Sequence, residues 1–268
     1  MVNLNDYLDN LSLVKVLSFF LLLILVLTLI PLLFNFSLGS LIFKLSLYGI
    51  MLLFFIYKFN SISFGDGQSF FKSLKSQYES IFKVSKFYQI LFIVLANIFF
   101  VTMIYFILRY FSSLGFLQFD SSLFGDFTSS SPLTVIVYFV AIVVLSPIVE
   151  ELLFRGIFLR RFNKEFNNLN LAIILSSVLF GICHGFGGIL GAILFGICVS
   201  ILYVKSNNIL VPIFAHFLNN LISFLLALFG LEYLFFNSIS VIVIFILAIL
   251  TNLVLFRAIF KEWPSSFD

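Results

Sequence analysis

Charged residues are scarce in this chain. Only 10% of its 268 residues are Asp, Glu, Lys or Arg, whereas 62% are hydrophobic and the mean hydropathy is +1.20. A water-soluble domain cannot hide that much apolar surface, so the composition excludes one. The apolar runs are long and do not alternate with a period of two, which argues against a transmembrane barrel. We therefore predict an all-α, polytopic membrane protein.

Cysteine and a strong excess of one charge are also lacking. The two cysteines, Cys183 and Cys198, fall in apolar segments and match neither a disulfide framework nor the spacing of a metal knuckle. The net charge is only +3, with most cations in a few loops, so no nucleic-acid partner is predicted. The first apolar run is too long for a signal-peptide core and no small-residue cleavage site follows it, so we interpret it as a retained span.

Eight apolar segments are candidate membrane spans. They cover residues 14–34, 41–57, 89–111, 132–153, 169–184, 188–204, 209–228 and 236–257. With both termini in the cytoplasm, 13 of the 15 Lys and Arg residues fall in cytoplasmic segments, Arg155 among them in a loop at 155–168. This distribution obeys the positive-inside rule. The sequence thus predicts a multi-pass cell-membrane protein with cytoplasmic termini.

The segment between the second and third spans, at about residues 60–88, has an amphipathic pattern. Its apolar residues recur at helical spacing with charged residues between them; they are Phe70, Phe71, Leu74, Tyr78, Ile81 and Phe82. We interpret the segment as a helix on the inner membrane surface, with a partner-docking helix as the alternative. The chain divides into N-terminal helices with this segment (1–131), a core (132–226), and a last helix with a short tail (227–268).

Two adjacent carboxylates, Glu150 and Glu151, end the fourth apolar run. A carboxylate at membrane depth is costly and typically functional. Glu151 and Arg155 are four residues apart, so they share a helical face and can pair. Glu150 is rotated by about 100° from its neighbour, which leaves it free to act as a general base. The alternative is a polar cluster at a helix end. We expect Pro147 to kink this helix or to open its hydrogen-bond ladder.

The only two histidines also lie in apolar segments. His184 follows Phe180 by one helical turn, and by itself it could simply occupy a helix end. His216 shares a helical face with Asn220, while Asn219 is less well aligned. A buried His/Asn pair can donate two hydrogen bonds to an oxyanion, or it can hold two helices together.

These side chains favour one hydrolytic chemistry. Glu150 with His184 can activate a water for attack on an amide carbonyl, while His216 and Asn220 stabilise the oxyanion. Cys183 points away from the imidazole of its neighbour, and no Ser or Cys is clearly placed as a nucleophile. Zinc held by one Glu and two His is the rival, although the H-E-x-x-H spacing is absent.

Three motifs carry a family resemblance. E-E-x-x-x-R, F-x-x-x-H and H-x-x-x-N occur in this order within residues 132–226, and their defining residues are Glu150, Glu151, Arg155, Phe180, His184, His216 and Asn220. The chain resembles the CAAX-protease and bacteriocin-processing family, also called CPBP or Abi. The resemblance implies about eight transmembrane helices, whose conical core holds an intramembrane polar cavity. It also implies a glutamate-dependent endopeptidase that needs no metal and no cofactor.

Residue roles follow from this resemblance. Glu150 and His184 would activate water, and His216 with Asn220 would form the oxyanion hole. The remaining motif residues, Glu151, Arg155 and Phe180, would support the site.

The resemblance also implies partners. Eukaryotic relatives cleave prenylated C-a-a-X tails, so the substrate would be a membrane-embedded or lipid-modified peptide. Bacterial members are associated with peptide maturation, bacteriocin self-immunity or scaffolding of cell-envelope proteins. The alternative function is therefore a non-catalytic immunity or scaffold protein that binds a membrane partner. A transporter is a third hypothesis, but no pair of Gly- or Pro-interrupted spans lies in matching halves of the chain.

The proposed partnership of Glu150 and His184 has a geometric requirement. The predicted spans would place Glu150 at the inner end of the fourth helix and His184 at the outer end of the fifth, too far apart to cooperate. We therefore expect the fourth helix to continue for at least two turns beyond Glu150. The short fifth and sixth spans, which glycines flank, would then end inside the bilayer.

Overall fold

Helices make up the architecture of the computed structural model, which describes residues 8–9, 11–34, 39–63, 84–118, 127, 130–231 and 238–267. Within these ranges there is no strand, and eight helices are longer than ten residues. They are α1 (Leu13–Leu33), α2 (Ser40–Ser63), α3 (Val84–Ser113), α4 (Pro132–Phe166), α5 (Leu169–Ile182), α6 (Ile189–Ser206), α7 (Leu210–Leu228) and α8 (Ser238–Lys261). The predicted all-α class is confirmed.

Seven of these helices are long and apolar enough to cross a membrane. The remaining helix, α5, has 14 residues and is too short to cross a membrane. This agrees with the prediction of about eight transmembrane helices, since α5 corresponds to the fifth predicted span. The orientation of the termini stays a prediction, and the amphipathic segment at 60–88 lies largely outside the described residues, which omit 64–83.

The length of α4 differs from the sequence prediction. We expected the fourth span to end at residue 153 and a cytoplasmic loop to occupy 155–168, but the helix continues to Phe166. The prediction was wrong because Arg155 is not a loop cation. Its side chain is wholly buried and binds the carboxylate of Glu151 inside the bundle. The continuation beyond Glu150, expected from the depth argument, is confirmed.

The backbone of α4 is irregular around Pro147. A π-helical segment at Phe139–Leu145 precedes a short α-helical segment at Ser146–Glu151, and a second π-helical segment follows at Leu152–Leu159. The N–H of Ser146 donates to the carbonyl of Ala141, five residues back. Pro147 has no N–H to continue this ladder. The predicted opening of the hydrogen-bond ladder is therefore present, and such π segments are frequent at functional sites.

The turn between α4 and α5 sets the depth of two site residues. Asn167 adopts a left-handed conformation (φ 47°), and the side chain of Asn168 caps the first turn of α5. Glu150 lies 16 residues before the end of α4, and His184 lies 16 residues after Asn168. Both stretches have the same number of residues, although Leu152–Leu159 is π-helical and His184 lies two residues beyond the end of α5. Because α4 and α5 pack against each other, the two side chains reach a similar depth.

Close helix packing centres on α6, the most buried of the candidate spans. A Cβ atom on Gly181 of α5 would lie 2.3 Å from the side chain of Ile193, and one on Gly191 would lie 2.3 Å from that of Val101 on α3. These glycines therefore allow α6 to approach both neighbours. Around this centre, α7 packs against α3, α4 and α6, and α2 packs against the first π segment of α4.

Candidate active site

Glu150 lies near the middle of α4 and is half-buried. Its Oε1 atom accepts two hydrogen bonds, one from the hydroxyl of Tyr48 on α2 at 2.6 Å and one from Ser146 Oγ at 2.5 Å. Hydroxyl donors stabilise the ionised form of a carboxylate. Both bonds fall on one oxygen, so Oε2 is available for other contacts.

Glu151 faces a different part of the bundle and is fully buried. Its Oε1 atom accepts from Arg155 Nη1 at 3.0 Å, and His216 Nδ1 lies 2.8 Å away. The expected contact between Glu151 and Arg155 is therefore present, and His216 is added to it from α7. Desolvation of a buried ion pair is rarely balanced by the attraction within it, so stability alone does not explain this arrangement.

The ring of Phe180 on α5 contacts three other site residues. The Arg155 guanidinium carbon lies 4.4 Å from the centre of the Phe180 ring, a cation–π geometry. The ring centres of His184 and His216 lie 4.6 Å and 5.5 Å from it. Phe180 is itself almost completely buried. One aromatic ring thus packs against the buried cation and both histidines of the chain.

The orientation of His184 follows from its backbone contact. Its Nδ1 atom lies 2.8 Å from the carbonyl oxygen of Phe180. A carbonyl can only accept, so Nδ1 carries the proton, and in the neutral ring Nε2 bears the lone pair. No hydrogen bond joins the described side chains of His184 and Glu150, which lie at a similar depth on packed parts of the bundle. The structure thus brings Glu150 and His184 into one region.

His216 and Asn220 lie on one face of α7. His216 is buried, and because its Nδ1 faces Glu151, its Nε2 is the atom left for another partner. The Nδ2 atom of Asn220 donates to the carbonyl of Ile142 at 2.9 Å, which leaves its second N–H hydrogen unused by this bond. Contacts thus join five of the predicted residues, which are Glu151, Arg155, Phe180, His184 and His216, and Asn220 lies one helical turn from His216. Their catalytic roles stay a prediction.

A glycine on α6 gives Arg155 its space. A Cβ atom at Gly196 would lie 3.1 Å from Arg155 Nη2 and 3.1 Å from Ser177 Cβ on α5. Nearby, Ser176 Oγ donates to the carbonyl of Phe154 on α4 at 2.7 Å. Small residues on α5 and α6 thus surround the buried cation without overlapping it.

Sequence reasoning missed two partners of Glu150. Ser146 precedes it by four residues, so the i, i+4 rule that predicted the pair of Glu151 and Arg155 would have found it. Tyr48 had no such signal. It lies in another helix, and nothing in its local sequence distinguishes it from Tyr57 on the same helix. Its role depends on the packing of α2 against α4.

Two further observations concern ligands. Among the residues that the structure describes, no group of three His, Cys, Asp or Glu side chains could hold a metal ion. A cavity of about 300 Å³ lies between α3, α6, α7 and α8, with Cys198 and mostly apolar side chains along it and the ion pair of Lys205 and Glu262 also in its lining. It contains none of the predicted site residues, so it does not identify the site.

Comparison with known proteins supports one family. A family model described as "Type II CAAX prenyl endopeptidase Rce1-like" matches residues 132–222. No curated protein and no solved structure matches the chain. The matched segment begins at the first residue of α4 and ends inside α7, so it includes all three motifs. Residues 132–222 therefore match a model of the CPBP family, in agreement with the resemblance that the three motifs carry.

Proposed function

We propose that this protein is an intramembrane endopeptidase that hydrolyses a peptide bond in a membrane-embedded or lipid-anchored peptide. The family match supports a CAAX-protease-type intramembrane peptidase at the family level. The observation that carries the proposal is the cluster around Phe180, which unites both histidines of the chain with the buried pair of Glu151 and Arg155. Ionisable groups inside a membrane protein are costly and typically functional.

In this proposal Glu150 is the general base. The Tyr48 and Ser146 hydroxyls hold Oε1, so Oε2 receives a proton from the attacking water. The oxygen of that water forms a bond to the scissile carbonyl carbon. The proton then moves from Glu150 to the amide nitrogen as the C–N bond breaks. His184 accepts the second hydrogen bond of the water through the lone pair on Nε2 and thereby orients it.

The oxyanion of the tetrahedral intermediate would be stabilised from α7. Asn220 offers the second hydrogen on Nδ2, and His216 offers Nε2–H. Because Nδ1 of His216 already donates to Glu151, Nε2 carries a hydrogen only when the ring is an imidazolium. The buried carboxylate of Glu151 lies where it stabilises that cation. This gives Glu151 a function distinct from that of its neighbour.

The setting of the site supports the proposed substrate class. The motif residues lie on apolar helices or, for His184, just beyond the end of one, and the matching family model describes prenyl endopeptidases. A peptide with a lipid anchor or a membrane-embedded segment reaches such a site through the bilayer. A cell-envelope membrane protein as substrate or partner fits the same setting.

The test uses a catalytic variant and an exposed control. Glu150→Gln keeps the shape of the side chain but removes the base, whereas Glu165→Gln changes an exposed residue at the end of α4. Membranes containing each protein are compared by mass spectrometry for peptide ends that form only with wild type. We expect such ends with wild type and Glu165→Gln and a loss of at least about 100-fold with Glu150→Gln.

Equal processing by the Glu150→Gln variant would refute the proposal. If no peptide end depended on Glu150 while the biological phenotype of the protein persisted in the variant, the non-catalytic immunity or scaffold role would be favoured instead.

A further inference from the structure

Three asparagines form a continuous hydrogen-bonded chain beside α4. Asn97 Nδ2 on α3 donates to Asn219 Oδ1 at 3.1 Å, and Asn219 Nδ2 donates to Asn220 Oδ1 at 3.4 Å. Asn220 Nδ2 then donates to the carbonyl of Ile142 at 2.9 Å. Only Asn220 belongs to the family motif, and Asn97 lies outside the matched residues 132–222.

The backbone of α4 creates the acceptor at the end of this chain. The carbonyl of Ile142 would normally receive an N–H from four or five residues ahead. The N–H four ahead, on Ser146, donates to the carbonyl of Ala141 instead. The residue five ahead is Pro147, which has no N–H. Asn220 therefore supplies the hydrogen that the helix does not.

Because the series ends on a carbonyl oxygen, its three hydrogen bonds can run in only one direction. A carbonyl oxygen can only accept, so Asn220 must turn Nδ2 towards Ile142 and Oδ1 towards Asn219. Asn219 must then present its own Nδ2 to Asn220 and its Oδ1 to Asn97. Asn97 completes the series as a donor. Each of the three amides therefore has one permitted orientation. In that orientation, Asn220 keeps a second Nδ2 hydrogen that is not used by its bond to Ile142.

The burial of Asn97 is not explained by stability. Its side chain is 6% exposed, and its Oδ1 atom has no hydrogen-bond partner among the described residues. An apolar residue at this position would avoid leaving a buried acceptor unpaired. What Asn97 does contribute is a donor to Asn219, and through it an orientation for Asn220.

We propose that Asn97 and Asn219 are positioning residues that aim an N–H of Asn220, and not its oxygen, at the oxyanion. This inference rests on the proposed function, since it assigns a purpose to the donor that the function requires. A reversed amide at Asn220 would place Oδ1 against the developing negative charge and raise the barrier.

The experiment compares two substitutions at one position. Asn97→Ala removes one donor but leaves the direction of the hydrogen bonds from Asn219 to Asn220 and from Asn220 to Ile142 unchanged. Asn97→Asp has nearly the same shape, but its ionised carboxylate offers only acceptors, so Asn219 must turn its Nδ2 away from Asn220. Kinetics are measured in detergent micelles on a fluorogenic peptide that spans the cleavage site found in the membrane comparison. We expect kcat to fall about threefold for Ala and at least about thirtyfold for Asp, with KM unchanged.

A matched control is available on α8. Asn252 is equally buried, donates to the carbonyls of Ala96 and Ala248, and likewise has an unpaired Oδ1 among the described residues. Asn252→Asp therefore carries a comparable structural penalty at the backbone next to Asn97, without a contact to the side chains of the three asparagines. We expect its kcat to stay within about twofold of wild type. Should Asn97→Asp fail to fold, Asn219→Asp provides the second test, because an ionised Asp cannot donate to Asn220.

Specific outcomes would overturn the inference. They are a wild-type kcat for Asn97→Asp, a larger loss for Asn97→Ala than for Asn97→Asp, or an equal loss for Asn252→Asp. Glu150→Gln is measured in the same assay to separate the two proposals. An active Glu150→Gln variant refutes the proposed function, whereas an inactive one together with a fully active Asn97→Asp refutes the positioning role alone.

Discussion

The hydroxyl of Tyr48 lies 2.6 Å from Oε1 of Glu150, although 102 residues separate them in sequence. Tyr48 lies on α2, outside the segment that matches the family. The N-terminal helices therefore do more than extend the membrane anchor. They provide one of the two hydroxyls that orient the proposed base.

Tyr48→Phe tests this contact. The substitution removes one hydroxyl and preserves the ring, so Glu150 keeps its packing but loses half of its orienting hydrogen bonds. We expect kcat on the fluorogenic peptide to fall about tenfold with little change in KM. Tyr57→Phe is the matched control, because Tyr57 lies on the same helix and is 67% exposed. Equal activity of the two variants would exclude an orienting role for Tyr48.

Glu151→Gln tests the buried ion pair. The substitution leaves Arg155 as a buried cation without its carboxylate, which typically costs about 3–5 kcal/mol. We expect a large decrease in thermal stability in detergent, together with loss of activity. Glu165→Gln, at an exposed position on the same helix, should leave the melting temperature unchanged. A variant at Glu151 that melted like wild type would show that the pair contributes nothing to the fold.

Gly196→Ala tests the space beside Arg155. The added methyl group would lie 3.1 Å from Arg155 Nη2, in a region where little can move, so we expect destabilisation of about 1–3 kcal/mol. Gly49→Ala on α2 is the opposite case, because nothing lies within 4 Å of its added methyl group. Helix propensity then predicts a gain of about 0.5–1 kcal/mol. Thermal melts that gave both variants the same sign would contradict this account.

Pro147→Ala tests why the carbonyl of Ile142 accepts from Asn220 and not from its own helix. Alanine restores an N–H that can donate to Ile142, so the helix gains a hydrogen bond and Asn220 loses its acceptor. We expect equal or higher thermal stability and a kcat reduced by about tenfold. The control is Pro31→Ala, which changes a proline inside α1 that lies far from these motifs in the chain. If the Pro147→Ala variant kept full activity, the acceptor at Ile142 would not be needed to orient Asn220.

The sequence predicted local relationships better than distant ones. Helical spacing was enough to pair Glu151 with Arg155 and to put His216 and Asn220 on one face. The end of α4 was misjudged because a charged run usually marks the membrane edge, whereas Arg155 found its counterion inside the bundle. Tyr48 and Asn97 could not be identified in advance. Each becomes significant only because another helix packs against it.

The turn at Asn167 and Asn168 also has a consequence for how the family segment tolerates change in length. Glu150 and His184 lie at equal distances along the two arms that leave this turn. One residue added to a single arm would shift Glu150 or His184 by about 1.5 Å and rotate it by about 100°. The relative position of Glu150 and His184 would therefore be preserved only if both arms changed in length by the same number of residues. Extra length is better accommodated beyond His184, where the glycine-rich turn at Phe186–Gly188 follows.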